Sequence, residues 1–184
     1  MLRGFKDDDA RAVVCSAFYY GPLWKEHAAT MNAMIVDHTD VLLLRPLSSE
    51  RGVAVLPAVD PVREAGGARG VVLAQIFAVK EKEVDAFARR AEEAFAAYRA
   101  AGAREAGVLV TLDIPNSFPR LPFRTDGPFL VWLGILEDDQ GLETRFEPVA
   151  QQSAAALSAS GLLRGMPELV VLDPAARSRL RWLP

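Results

Sequence analysis

Few side chains in this chain have the type and spacing that chemistry needs. His27 follows Trp24 by three residues and precedes Met31 by four, so on a helix all three share one face. An imidazole beside an indole on an apolar stripe is either an acid–base or ligand group, or a hydrogen-bonded, half-buried histidine. A second concentration lies in residues 113–127. There Asp113, Asn116, Ser117, Phe118, Arg120, Phe123, Arg124 and Asp126 mix carboxylates, an amide, guanidinium groups and rings. Asp113 with Arg120 would set a base beside a cation. Pro115, Pro119 and Pro122 stiffen this stretch, and it is longer than a hairpin turn. Such a loop either rims a pocket or packs across an interface. The candidate catalytic residues are therefore His27, Asp113 and Arg120. The candidate ligand contacts are Trp24, His27, Asn116, Phe118, Arg120 and Trp132. Trp24, Trp132 and Trp182 also read as core or interface rings.

Other chemistries are excluded or unsupported. The second histidine, His38, sits between Asp37 and Thr39 in an expected exposed turn. The two histidines lack metal-ligand spacing, and one cysteine, Cys15, completes neither a zinc site nor an internal disulfide. Among apolar neighbours Cys15 reads as a small buried hydrophobe in a reducing compartment. A haem would have only His27 as an axial ligand, with nothing else to hold it. Gly66-Gly67-Ala68-Arg69-Gly70 precedes a strand rather than following one, so it cannot present amides to a phosphate at a helix start. No metal and no cofactor are expected.

The 184 residues carry a net charge of −3 and no basic block, so nucleic-acid binding is not expected. No apolar run reaches bilayer-spanning length. Met1 to Asp9 has no apolar core of a secretory signal, which leads to the expectation of a soluble cytoplasmic protein. Hydrophobic residues make up 51%, enough for a sizeable core or for a core and an oligomer interface.

Periodicity supplies the elements that would position these groups. Asp7, Asp8 and Asp9 mark a helix start, and Ala10, Val13, Val14, Ala17 and Phe18 mark one apolar face. Gly21-Pro22 breaks that helix. Trp24, His27, Ala28, Met31 and Ile35 mark the next. Val41 to Leu44 reads as a short strand ended by Pro46. Residues 47–69 are rich in Gly, Pro and Ser and read as a linker, with Val53 to Leu56 a short extended piece. From residue 70 the order is strand (71–79), helix (84–98), strand (107–112), loop, strand (129–136), helix (146–157) and strand (169–172). That is the β-α-β-β-α-β series of a ferredoxin-like unit, an α+β fold. Phe129 to Leu136 contains no charge, and Val71 to Val79 carries one polar residue, Gln75. Both faces of these strands must therefore be covered, most simply by a second sheet.

The chain also repeats. Asp40-Val41-Leu42-Leu43-Leu44-Arg45-Pro46 returns in pattern as Glu168-Leu169-Val170-Val171-Leu172-Asp173-Pro174. Internal similarity of this kind marks related structural units. The expected organisation is residues 1–46 as the second half of a first unit, 47–69 as linker and 70–184 as a complete second unit. Arg45 and Asp173, at equivalent positions, could pair.

These residues resemble the NIPSNAP family of the dimeric α/β-barrel superfamily. The likeness is carried by Ala17-Phe18-Tyr19-Tyr20-Gly21-Pro22-Leu23-Trp24-Lys25-Glu26-His27, by Met31-Asn32-Ala33 and by Val41-Leu42-Leu43-Leu44-Arg45-Pro46. It covers residues 3–46, and residues 70–183 resemble a second, more diverged unit. The family's first strand, helix and second strand have no counterpart before Met1. The resemblance implies ferredoxin-like units forming a dimeric α/β barrel, a homo-oligomer built by sheet packing, no metal and no assigned activity. The functional expectation is an oligomeric module that binds a small apolar molecule. The alternative is a cofactor-independent monooxygenase or isomerase of the same superfold.

Overall fold

The two central strands form where aliphatic and aromatic residues run without charge, and the helices of the sheet layer where apolar residues recur every three or four. The computed structural model describes residues 2–35, 37 and 39–183. The chain divides into two compact units. One comprises Met1–Leu43 with Leu112–Asp126, the other Leu44–Thr111 with Gly127–Pro184.

The second unit holds strands β1 (Leu44–Pro46), β2 (Val71–Ala78), β3 (Arg104–Thr111), β4 (Phe129–Leu136) and β5 (Glu168–Leu172). They form one antiparallel sheet in the order β1-β3-β4-β2-β5. Two helices of this unit, α3 (Val84–Ala100) and α4 (Glu147–Ser158), each connect strands separated by one interposed strand. Two interleaved βαβ crossovers of this kind define the ferredoxin-like α+β unit. The series β2-α3-β3-β4-α4-β5 matches the order read from the sequence.

Alternation along the strands assigns the faces. Val71, Leu73, Phe77 and Val79 of the β2 run pack with Leu130, Trp132 and Leu136 of β4 and with Phe87, Phe95 and Tyr98 of α3. Trp132 is fully buried and its indole N–H donates to Glu105 at 3.0 Å. Its ring lies where a Cβ on Gly134 would stand, only 2.2 Å from the nearest ring carbon. The opposite face is covered as well: Val72, Val131 and Leu133 are 2–3% exposed.

Part of that cover comes from irregular chain. Val53 lies against Gly107 of β3, and Trp182 and Ile135 each lie against Gly70. Arg181, 3% exposed, clasps the segment before β2 to the C-terminal tail. It donates to Glu64 at 2.8 Å, to the Pro57 carbonyl at 3.0 Å and to the Ser178 carbonyl at 3.2 Å. The Arg181 hydrogen bond holds the Glu64 carboxyl below the usual range.

Two expectations shift. The strand expected over 41–44 forms instead at Leu44–Pro46, on the free edge of β3. An edge suits it, because Pro46 has no N–H to give to a further strand. The two copies of the repeated motif thus lie on opposite edges of one sheet, β1 and β5. Arg45 donates to the Pro46 carbonyl at 3.0 Å and does not pair with Asp173.

The first unit holds α1 (Asp8–Tyr19) and α2 (Pro22–Ala33). Asp7 caps α1 by accepting from the Ala10 N–H at 2.7 Å, and Pro22 opens α2. The apolar stripe expected of α1 is not its buried face. Val13 and Val14 are 68% and 54% exposed, while Arg11 and Cys15, one turn apart, are buried. Arg11 is buried because the loop at 116–117 supplies its hydrogen-bond acceptors.

Candidate functional site

In the first unit, the loop of residues 112–126 organises around one asparagine. Asn116 Oδ1 accepts from the Phe118 N–H at 3.0 Å, and its amide nitrogen donates to the Leu121 carbonyl at 2.9 Å. This is the turn that an Asx side chain makes with its own backbone. The buried Arg11 donates to Asn116 Oδ1 at 3.2 Å and to Ser117 Oγ at 3.0 Å. Ser117 in turn donates to Asp8 at 2.7 Å. Arg11 escaped the sequence reading. Its available signals were Asp8 three residues before it and Cys15 four after.

Rings continue the assembly. Trp24 contacts Tyr19 with centroids 4.7 Å apart, Tyr19 and Tyr20 each reach Phe118 at 5.9 Å, and the Arg120 guanidinium lies over Tyr20 at 5.3 Å. Four candidates, Trp24, Asn116, Phe118 and Arg120, are therefore brought together. Phe118 and Trp24 are 4% and 8% exposed, so they pack this cluster rather than face solvent. His27 is exposed, 3.8 Å from Glu26, and Asp113 is exposed. Trp132 lies in the core of the second unit. His38 is outside the described residues.

Within the second unit a cleft of about 240 Å³ opens between α4 and the strands β2 and β5. Ala150, Ala154, Pro167 and Leu169 form its walls, and Glu147 and Gln151 stand on the same face of α4. Gln75 belongs to its lining and is 2% exposed. In register it lies between Trp132 of β4 and Leu169 of β5, on the helix-covered face. Its amide nitrogen donates to the Glu168 carbonyl at 3.2 Å, which fixes the amide. Its Oε1 is buried and has no protein donor. Ala150 and Ala154 leave the space above it, since longer side chains on that face of α4 would fill it. Among the described residues, no group of His, Cys, Asp and Glu is placed to hold a metal ion.

The strand order and the two crossover helices define an α+β protein with a ferredoxin-like unit. No family model matches the chain, and no curated protein matches it. Solved structures do. It is similar to a NIPSNAP family protein from Agrobacterium tumefaciens, at 17% identity and a TM-score of 0.43, over 61% of this chain and 100% of that one. It is similar to an uncharacterized NIPSNAP-like domain protein from Burkholderia xenovorans, at 20% identity and a TM-score of 0.42, over 60% and 90%. It is also similar to a Streptomyces coelicolor monooxygenase solved with nanaomycin D, at 20% identity and a TM-score of 0.42, over 68% and 99%. At these values the likeness decides nothing about activity, substrate or partners. The fold assignment rests on the chain's own strand order. No described helix is long and apolar enough to cross a membrane.

Proposed function

We propose that this protein is a small-molecule-binding module whose site is the cleft between α4 and the sheet of the second unit. The observation that carries the reading is the buried, undonated Oε1 of Gln75 in the cleft lining. Leaving a buried acceptor unsatisfied costs about 1–3 kcal/mol, and an aliphatic residue at that position would avoid the cost. The polar residue stands on the β2 core face where the cleft beside α4 opens. The matching ligand is small, with an apolar body against Ala150, Ala154 and Leu169 and one hydrogen-bond donor directed at Gln75.

The test uses the full chain, 1-naphthol and 1-methoxynaphthalene, which differ in that donor. Naphthol raises Tm and its methyl ether does not, and both Gln75→Leu and Ala150→Leu abolish the response. No shift with naphthol, or the same shift in Gln75→Leu, overturns the reading. The enzymatic alternative needs a titratable group in a cavity. His27, Asp113 and Arg120 do not line this cleft, so its geometry does not favour that reading.

A homo-oligomer belongs to the same proposal. Burial of the β2, β3 and β4 faces leaves little sheet surface for a second copy. One group of exposed apolar side chains lies on α1, α2 and just beyond: Val13, Val14, Leu23, Met34 and Ile35.

A further inference from the structure

A second cleft in the same unit, of about 250 Å³, is lined by Gly102, Glu137, Asp138, Gly141, Arg145 and Trp182, among others. Two of its lining residues, Trp182 and Arg145, carry hydrogen-bond donors without acceptors. The Trp182 indole Nε1 is shielded from water and has no partner. Arg145 is exposed and, among the described residues, forms no ion pair or side-chain hydrogen bond. Its guanidinium lies over Gly141, where a Cβ would come within 2.5 Å of Nη2. Gly102, with φ +102°, leaves the other side open. The indole is held in place. The Arg104 guanidinium stacks on its ring with 3.7 Å from Cζ to the centroid, and Arg104 also donates to the Leu183 carbonyl.

We infer that this cleft is a second small-molecule site, and that it takes a carboxylate. A guanidinium fork and an indole N–H on the lining of one cleft supply donors for two carboxylate oxygens. Arg145 is exposed and unpaired, so it is free to turn toward the incoming group, and binding at the indole N–H requires the cleft lining to shift. Glu137 and Asp138 line the same cleft without pairing with Arg145. Their charge opposes a dianion more than a monoanion, so the site favours a carboxylate over a phosphate. This inference is independent of the Gln75 cleft.

The test is a ¹H–¹⁵N correlation spectrum of the full chain, in which Trp182→Phe assigns the Trp182 indole signal. Propionate is titrated against inorganic phosphate at matched ionic strength. The expected result is a saturable shift of the Trp182 indole N–H with propionate, about tenfold weaker in Arg145→Gln, as the loss of a charge-assisted pair requires. Phosphate gives little shift. An unmoved Trp182 signal, a shift that does not saturate, an equal response in Arg145→Gln or an equal response to phosphate overturns the inference.

Discussion

At the scale of single residues, two buried polar groups are in different positions. Arg11 is satisfied by Asn116 and Ser117, whereas Gln75 is satisfied at its nitrogen and not at its oxygen. Replacement should therefore act differently. Arg11→Met keeps an unbranched apolar stem but withdraws two hydrogen bonds from the loop, at a cost of about 1–3 kcal/mol. A lower urea midpoint and faster amide exchange at Phe118 would report it. An unchanged midpoint would mean that Arg11 does not hold the loop. Gln75→Leu removes an orphaned carbonyl along with one hydrogen bond, so the unliganded protein should be as stable as wild type or gain up to about 1 kcal/mol. Chemical denaturation measures this. A loss well beyond that size would show that the amide serves the fold through Glu168, and would remove the reason to assign it to a ligand.

At the scale of elements, β4 shows how one small residue shapes a strand. Trp132 occupies the space over Gly134 while its N–H is tied to Glu105. Gly134→Ala must push the ring off that position or bend the strand, and overpacking of this kind costs about 1–3 kcal/mol. The expected result is a lower denaturation midpoint with altered tryptophan fluorescence. Wild-type stability in this variant would contradict the contact. The position of β1 follows from similar constraints. A three-residue strand ending in proline can serve an edge and not a sheet centre.

At the scale of the whole molecule, pH and assembly are the measurable consequences. Burial pushes the Tyr98 hydroxyl up to about 12, from an ordinary value of 10. The folded protein therefore keeps this proton where the unfolded chain gives it up. The contribution is fully present below pH 10 and is lost as pH rises toward 12. Wild type should lose stability faster than Tyr98→Phe across that window, as followed by thermal melts. A difference between the two that stays constant with pH would refute the assignment. For assembly, light scattering at micromolar concentration should give a dimer or larger, and Val13→Lys with Val14→Lys should shift it toward monomer. A monomeric wild type would end the oligomer proposal.

The sequence by itself determined the order of strands and helices from residue 70 onward, because apolar runs and three-to-four-residue spacing are local properties. Phe129–Leu136 is the plainest case, and the crossover order followed from it. Asn116, Phe118 and Arg120 were also legible together, since they share one proline-stiffened loop, whereas only the structure joined Trp24 to them and left His27 and Trp132 apart. Tertiary structure alone decided which polar groups are buried and with what partners. Arg11 meets Asn116 across 105 residues, and Gln75 meets Glu168 across 93. Arg11 would pass for a surface residue in a local window, and the apolar run around Gln75 marks it as covered without naming its partner. The cost of burying a polar group depends on the donor or acceptor opposite it, and no periodicity records a partner that distant.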